Sequence, residues 1–460
     1  MSGTTSISPP EEGLKAAVIS LKREHPALGI AKLHALLLSE NPGWTVSEKR
    51  LRRILKDSKG VTQPQQHQAP EASSETHLYP SSTLVEGLDV TKWSAAVEVK
   101  YYDRNKGKGL VAKEPISEGQ VIWKEDPFIV APEWEIYDLQ LASRACAHCT
   151  TPLMDRLSSS PSLVLRCTTA SSACPARFCN RLCLRRSEQT HPLLCPAQNP
   201  ASVPLLGFAR RNAWMALHAL AQCTARMLLA HQQQGRRRVG RDDGDRDGME
   251  EDWRLYSALA DLGMEERAQG SWCVYVPRTC VCFPMHGAEP DRATWQTAHS
   301  AFVEAFVLPP EAAWQKKLAK LLKRPTPKEV ADALFTYDGF LHGLGRMSLN
   351  LEAHGGLYTL HSHLNHSCSP NISVRHLDQR TALSRITIIA KRDIDVGQEL
   401  VITYVDPSLG VRERRSQLYG WGFGQCKCER CVEEEKGASN NQEGQDQDLE
   451  RELKAGLGIV

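Results

Sequence analysis

The sequence predicts an α+β protein: a small N-terminal helical module, a linker, and a larger unit of short strands into which metal-binding and helical segments are inserted. Three patterns carry this expectation. Apolar residues recur at helical spacing near the N-terminus and again across 196–344, strand-like alternation joined by a glycine turn begins near Val97, and most cysteines gather in two dense stretches.

A chain of 460 residues is long enough for two or three domains with a sizeable core. Its 56 basic and 54 acidic side chains nearly cancel, which excludes a global signal for binding polyanions. No apolar run approaches the roughly 20 residues of a membrane span. The N-terminus, with Glu11 and Glu12 and no apolar stretch, is not a secretory signal. The expectation is a soluble, intracellular chain without membrane contact, whose 15 cysteines serve as metal ligands rather than disulfides.

Residues 1–60 read as a three-helix module. Leu14, Ala17, Val18 and Leu21 form one stripe, Ile30, Leu33, Leu36 and Leu37 a second, and Leu51, Ile54 and Leu55 a third. Thr45 and Glu48 have capping-box spacing at the start of the third helix. That helix carries Lys49, Arg50, Arg52, Arg53 and Lys56, which suits either a helix-turn-helix making weak nucleic-acid contact or a solvated basic face. Residues 61–94, poor in large apolar side chains, read as a flexible linker.

Order resumes in 95–145. Val97-Glu98-Val99-Lys100-Tyr101 alternates as a half-buried strand, and Gly107-Lys108-Gly109 reads as a tight turn whose missing side chains let a ligand approach the backbone. In 146–195, Cys146-x-x-Cys149, Cys167, Cys174, Cys179-x-x-x-Cys183 and His191-x-x-x-Cys195 supply soft ligands for two four-coordinate zinc ions. A segment this poor in large apolar residues would draw its folding free energy from the metal. Spacing alone leaves the pairing of ligands open.

Residues 196–344 read as helical, with core stripes that include Trp214, Leu217 and Leu220, then Ala301, Phe302 and Phe306. Within them 231–252, rich in Gly, Arg and Asp, reads as a disordered loop. Cys273, Cys280, Cys282 and His286 could ligate a further metal, or occupy ordinary strand positions. The segment 345–405 contains Asn365-His366-Ser367-Cys368 and, some thirty residues on, Val401-Ile402-Thr403-Tyr404. In 406–432, Cys426-x-Cys428-x-x-Cys431 is one ligand short of a tetrahedral zinc site, which Cys368 or a nearby histidine would complete. Residues 433–460 read as an acidic, disordered tail.

Taken in order, Gly107-Lys108-Gly109-Leu110, Asn365-His366-Ser367-Cys368-x-Pro370-Asn371, Gly397-Gln398-Glu399-Leu400-Val401-Ile402-Thr403-Tyr404 and the final cysteine triad resemble the motifs of SET-domain lysine methyltransferases. The 146–195 insert resembles a MYND-type zinc module. With the N-terminal module and Leu360-His361-Ser362-His363-Leu364, the chain is most similar to the fungal "SET five" subfamily of histone lysine methyltransferases, over about residues 95–435.

This resemblance implies a SET β-fold of small sheets with a pseudoknot-like closure and about three structural zinc ions. One would take Cys146, Cys149, Cys179 and Cys183; another Cys167, Cys174, His191 and Cys195; and a post-SET site Cys368, Cys426, Cys428 and Cys431. The implied cofactor is S-adenosylmethionine, held by Lys106, Gly107, Lys108, Gly109, Asn350, Asn365 and His366. Tyr404 would stand at the methyl-transfer centre, Tyr419 would line the lysine channel, and Trp421 or Phe423 would stack on the adenine.

Implied partners are histone tails, especially that of histone H4, or other lysine-containing proteins, with proline-containing peptides at the MYND-like module. The implied location is the nucleus (chromosome) and cytoplasm. An adaptor with little catalysis is the competing reading. Two spacings depart from the family pattern: Cys167-x6-Cys174 is wide, and Tyr419 to Cys426 is long. The sequence also ends at Val460, soon after Cys431, where animal SET-and-MYND proteins continue into a helical repeat domain, so a more open cleft is expected.

Overall fold

The computed structural model describes residues 9, 14–15, 17–18, 21, 30–51, 79–153, 164–169, 173–233, 248–269, 291–378, 382–420 and 422–437. The chain divides into two compact units, Met1–Thr76 and His77–Val460. Among the described residues no helix is long and apolar enough to cross a membrane.

In the first unit, helix α1 (Ile30–Glu40) brings Leu33 and Leu37 into one buried cluster with Leu14, Val18, Leu21, Val46 and Leu51. All three predicted stripes thus contribute to one core. The onset of the third helix differs from the capping-box expectation. Ser47, not Thr45, is the cap: its hydroxyl accepts the Arg50 amide hydrogen at 3.2 Å, the geometry that satisfies an orphan donor of the first turn. Arg52, Arg53, Ile54, Leu55 and Lys56 lie outside the described residues.

The second unit opens with an antiparallel hairpin of β1 (Val97–Asp103) and β2 (Gly107–Ala112). After β3 (Val121–Glu125) and β4 (Ile129–Val130), the cysteine-rich insert supplies β5 (Leu165–Arg166), β6 (Arg177–Phe178) and helix α2 (Arg181–Ser187). The helical segment includes α3 (Met215–Gln233), α4 (Gly248–Ala258) and α5 (Tyr337–Asn350). It is followed by β7 (Gly356–Leu357), β8 (Asn365–His366), β9 (Ile372–Arg375), β10 (Ile386–Ala390), β11 (Glu399–Ile402) and α6 (Val411–Gly420).

The strands form small sheets in the orders β1-β2-β11-β8, β3-β10-β9, β4-β7 and β5-β6. Only the β8–β11 pair among these is parallel. Leu110, Ile116, Ile386, Ile388 and Leu400 anchor the strand core. A separate helical core surrounds α3, which buries Leu217, Leu220 and Leu228 against Phe302, Phe340 and Leu344. A helix apolar on nearly all sides must sit inside other helices, as α3 does.

The hairpin shows why its glycines are needed. Every residue of β2 is buried between β1 and β11. A Cβ on Gly109 would lie 2.7 Å from the Tyr102 ring, 2.8 Å from Asn365 Nδ2 and 2.9 Å from a Glu399 carboxylate oxygen. Gly107 adopts φ +70°, a left-handed conformation that side chains disfavour.

Several boundaries differ from the sequence reading. The linker assigned to 61–94 ends sooner: residues 79–94 belong to the second unit, where Ser81 bridges Asp261 and Asp89 caps a 3₁₀ turn at Val90–Lys92. A few apolar contacts suffice to order them, with Val85 on the helical core and Val90 and Trp93 on the strand core. The loop assigned to 231–252 has helical ends, with residues up to Gln233 in α3 and those from Gly248 in α4. Gln232 exchanges two hydrogen bonds with the Arg324 backbone, and Asp252 pairs with Arg226 at 3.0 Å, which anchors both ends. The helical segment runs on to Asn350 rather than ending at 344.

The acidic tail assigned to 433–460 begins as helix over 429–437, where Glu434 and Glu435 pair with Arg414 and Arg415. Cys273, Cys280, Cys282, His286, residues 234–247 and residues 438–460 lie outside the described residues.

A Gly109→Ala substitution tests the close packing of β2. We expect a loss of about 1–3 kcal/mol, the usual range for forcing an extra methyl into a packed site, measured from the urea unfolding midpoint.

Candidate active site and metal centres

Three clusters of soft ligands are assembled, each with its ligand atoms within 4.8 Å of one another: Cys146, Cys149, Cys179 and Cys183; Cys167, Cys174, His191 and Cys195; and Cys368, Cys426, Cys428 and Cys431. The pairing that spacing left open is therefore interleaved along the chain. Zinc–sulfur bonds of about 2.3 Å in a tetrahedron place sulfurs about 3.8 Å apart. Cys149 and Cys179 lie at 3.6 Å, Cys167 and Cys195 at 3.9 Å, and Cys368 at 4.0 Å from Cys426 and 3.5 Å from Cys431. The donor sets fit three zinc ions.

Second partners support the thiolates. Asn180 Nδ2 donates to Cys179 Sγ at 3.4 Å, and Asn180 Oδ1 caps α2, which carries Cys183. At the third cluster the fully buried Arg414 donates to Cys431 Sγ at 3.4 Å and pairs with Glu434 at 2.9 Å. Four thiolates around one dication form a net negative centre, and a guanidinium beside it offsets that charge where water cannot reach.

The third cluster touches a cleft of about 1000 Å³ in the second unit. Its floor is the β8–β11 pair, in which Asn365 faces Val401 and His366 faces Ile402. His366 Nδ1 accepts the Tyr404 amide hydrogen at 3.0 Å. The proton of the neutral ring therefore sits on Nε2, which lies 3.3 Å from Cys368 Sγ and donates to it. One imidazole thus ties the metal cluster to the backbone of Tyr404.

The Tyr404 side chain is half-buried against the His366 ring at 5.3 Å and the Phe423 ring at 5.1 Å. Its hydroxyl donates to the Leu364 carbonyl at 2.6 Å. Burial is the main cause that raises its pKa, with the nearby carboxylates of Glu352 and Glu399 adding to it, so the phenol stays protonated. With its hydrogen committed, the oxygen presents lone pairs.

Asn365 has a comparable arrangement. Its Nδ2 donates to the Lys108 carbonyl at 3.0 Å and to Glu399 Oε1 at 2.9 Å, which leaves the amide oxygen as the acceptor. Glu399 also holds Lys106 Nζ at 2.5 Å, and that ammonium rests 4.0 Å over the Tyr102 ring. The sequence reading quoted Glu399 in a motif without giving it a role. Its place as the shared anchor of Asn365 and Lys106 depends on strand pairing that local sequence does not show.

Asn365, His366, Tyr404, Phe423, Lys106, Lys108 and Asn350 all line the cleft, but two of these side chains are engaged elsewhere. Lys108 is buried and donates from Nζ to the Ala258 carbonyl at 2.8 Å, and burial brings its pKa down to about 7. Asn350 uses its amide on the Ala260 backbone and the Arg346 carbonyl. Both act here as struts of the wall.

Gly107 and Gly109 serve as close-approach positions rather than as lining. Tyr419, expected in the channel, sits near the end of α6, is 38% exposed and is not among the residues lining the cleft. A helix that carries Leu418 inward turns the next side chain about 100° away, toward solvent. Trp421 lies outside the described residues, which leaves Phe423 as the described aromatic beside Tyr404.

A protein-family model described as the SET domain matches residues 244–405. Histone-lysine N-methyltransferase SET5 of Mycosarcoma maydis is 32% identical over 352 residues, covering 74% of this chain and 68% of that protein. Proteins of the same name from Scheffersomyces stipitis and Yarrowia lipolytica are 27% and 28% identical, each over 94% of this chain and over 83% and 84% of their own lengths.

Among solved structures, the SET domain of LSMT bound to lysine and AdoHcy is similar at 12% identity with a TM-score of 0.30, over 70% of this chain and 51% of that one. That likeness is too low to support a comparison of folds. The kinship shared along most of the chain, together with the SET-domain match, decides the family: this chain belongs to the fungal SET5 family of SET-domain histone-lysine N-methyltransferases.

Proposed function

We propose that this chain is an S-adenosylmethionine-dependent lysine N-methyltransferase acting on histone tails in the nucleus, with histone H4 as the expected substrate. The supporting observation is the convergence of Asn365, His366 and Tyr404 on one cleft, where bonding leaves the Asn365 amide oxygen and the Tyr404 hydroxyl oxygen as acceptors and His366 spends both ring nitrogens on Tyr404 and Cys368. The relatives named above carry that activity in their names. We read 146–195 as a MYND-type module that binds proline-containing peptides, and 406–432 as a post-SET segment.

Bound S-adenosylmethionine supplies an electrophilic methyl group on a sulfonium. The chain must supply alignment and a neutral amine. Removing a proton from a lysine of pKa about 10.4 at neutral pH costs roughly 4–5 kcal/mol. Leu364, Ile402 and Phe423 line the cleft around Tyr404, and an apolar wall lowers an ammonium's pKa by withholding water. The Tyr404 oxygen, its own hydrogen held by Leu364, is placed to accept from the amine and orient its lone pair. The Asn365 amide oxygen is an acceptor suited to the cofactor's α-ammonium group. The three zinc ions would be structural, and the third cluster, through Cys426 and Cys428, borders the cleft.

Mass spectrometry of a histone mixture incubated with the protein and S-adenosylmethionine tests the substrate. Methyl marks confined to non-histone proteins would overturn the histone assignment, and failure of the protein to bind the cofactor in calorimetry would overturn the enzyme assignment. Tyr404→Phe is expected to lower kcat roughly a hundredfold, the scale of a misaligned reacting pair, while the dissociation constant for S-adenosylhomocysteine stays as in the wild type. Cys368→Ser is expected to release the third zinc, lower the melting temperature and reduce methyl transfer together, because His366 loses its thiolate partner. Full activity in a variant with only two bound zinc ions would separate the metal from the cleft.

A further inference from the structure

The segment preceding the hairpin forms part of the cleft wall. Ser81 and Asp261 exchange backbone hydrogen bonds at 2.9 and 2.8 Å, and the Thr83 amide donates to the Ala258 carbonyl at 3.4 Å. Pro80 is buried, and its ring lies so near Gly422 that a Cβ added there would meet it at 3.1 Å. Residues 79–83 are therefore a strap between the end of α4 and the segment leading to Cys426. Tyr79, Pro80 and Ser82 line the cleft.

Ser82 stands directly on the glycine turn between β1 and β2. Its hydroxyl oxygen accepts the Lys108 amide hydrogen at 3.3 Å, and a Cβ on Gly107 would fall 2.3 Å from it. A hydroxyl has one hydrogen to give and two lone pairs. One lone pair takes the Lys108 amide hydrogen, and among the described residues no acceptor takes the hydroxyl hydrogen.

The two lysines beside Ser82 are engaged. Lys106 is balanced by Glu399, and Lys108 donates to the same Ala258 carbonyl that receives the Thr83 amide. Asn105 at the turn is exposed, so its amide is not fixed as the Ser82 hydroxyl is. The wall that carries the glycine turn thus offers one positioned neutral donor.

We propose that the Ser82 hydroxyl donates a hydrogen bond to the carboxylate at the amino-acid end of S-adenosylmethionine, so that the strap preceding the hairpin completes the cofactor subsite. This rests on the methyltransferase reading above, and it assigns a binding residue well outside the SET-domain match at 244–405. It also gives Gly107 a second reason to be glycine, since a side chain there would displace the Ser82 oxygen.

Calorimetric titration of the full-length protein with S-adenosylhomocysteine and with 5′-methylthioadenosine, which lacks the amino-acid end, tests it. Ser82→Ala is expected to weaken S-adenosylhomocysteine about tenfold, the scale of one hydrogen bond to a charged group, and to leave methylthioadenosine binding unchanged. Ser82→Thr, which keeps the donor, should restore affinity. Gly107→Ala should reproduce the selective loss, and melting temperature with zinc content checks that each variant is folded. Equal weakening of both ligands, or none of either, overturns the assignment of Ser82. A wild-type protein that binds neither ligand overturns the methyltransferase reading itself.

Discussion

The cleft depends on a two-residue parallel pairing between β8 and β11 that backbone hydrogen bonds alone would hold weakly. Asn371 reinforces it. Its side chain is almost fully buried, donates to the Glu399 carbonyl at 2.8 Å and accepts the Val401 amide hydrogen at 2.8 Å. The amide thereby acts as one more peptide unit along β11, on the edge that β8 does not reach. The Ser367 amide continues the ladder by donating to the Ile402 carbonyl at 2.8 Å. With β11 fixed on both sides, Glu399 at its start and Tyr404 just beyond its end are set at opposite ends of the same short strand.

Metal clusters take over where apolar burial runs out. Among its described residues the 146–195 insert has two-residue strands and two short helices, Arg181–Ser187 and His191–Leu194, and its buried cluster consists mainly of cysteines around Phe178 and Ala176. A segment of this kind gains little from the hydrophobic effect, and ligation supplies the missing free energy. The third cluster works at longer range. Cys368 is separated by more than fifty positions from Cys426, and ligation closes the loop that carries Tyr404 and α6.

Charge in the cleft and in the structure behind it is arranged so that few groups are left uncompensated. Glu399 meets Lys106 and Asn365, Arg414 meets Glu434 and a thiolate, and the buried Glu125 accepts from Trp123 and from the Leu360 and His361 amides. Buried polar groups that are fully bonded specify one geometry, because any alternative leaves a donor or acceptor unpaired. Lys108 meets the same requirement differently: burial favours its neutral amine, which costs less in the wall than an unpaired ammonium.

Much of this was legible from the chain alone. The cysteine and histidine ligands of the 146–195 insert, the cysteine triad at 426–431, the strand at Val97 and the glycine turn are carried by spacing, because ligand count, turn conformation and strand alternation are local properties, whereas Cys368 as the completing ligand and Asn365, His366 and Tyr404 as cleft residues are singled out by family resemblance. The tertiary structure decided which cysteines share a metal, that Lys108 and Asn350 brace the wall, that Tyr419 faces away, and that Ser82 and Glu399 belong to the cleft. Those facts depend on contacts between positions far apart in sequence. Ser82 reaches the hairpin only because residues 79–83 are strapped across α4, and no pattern within a serine-rich, linker-like segment encodes where that segment will be held.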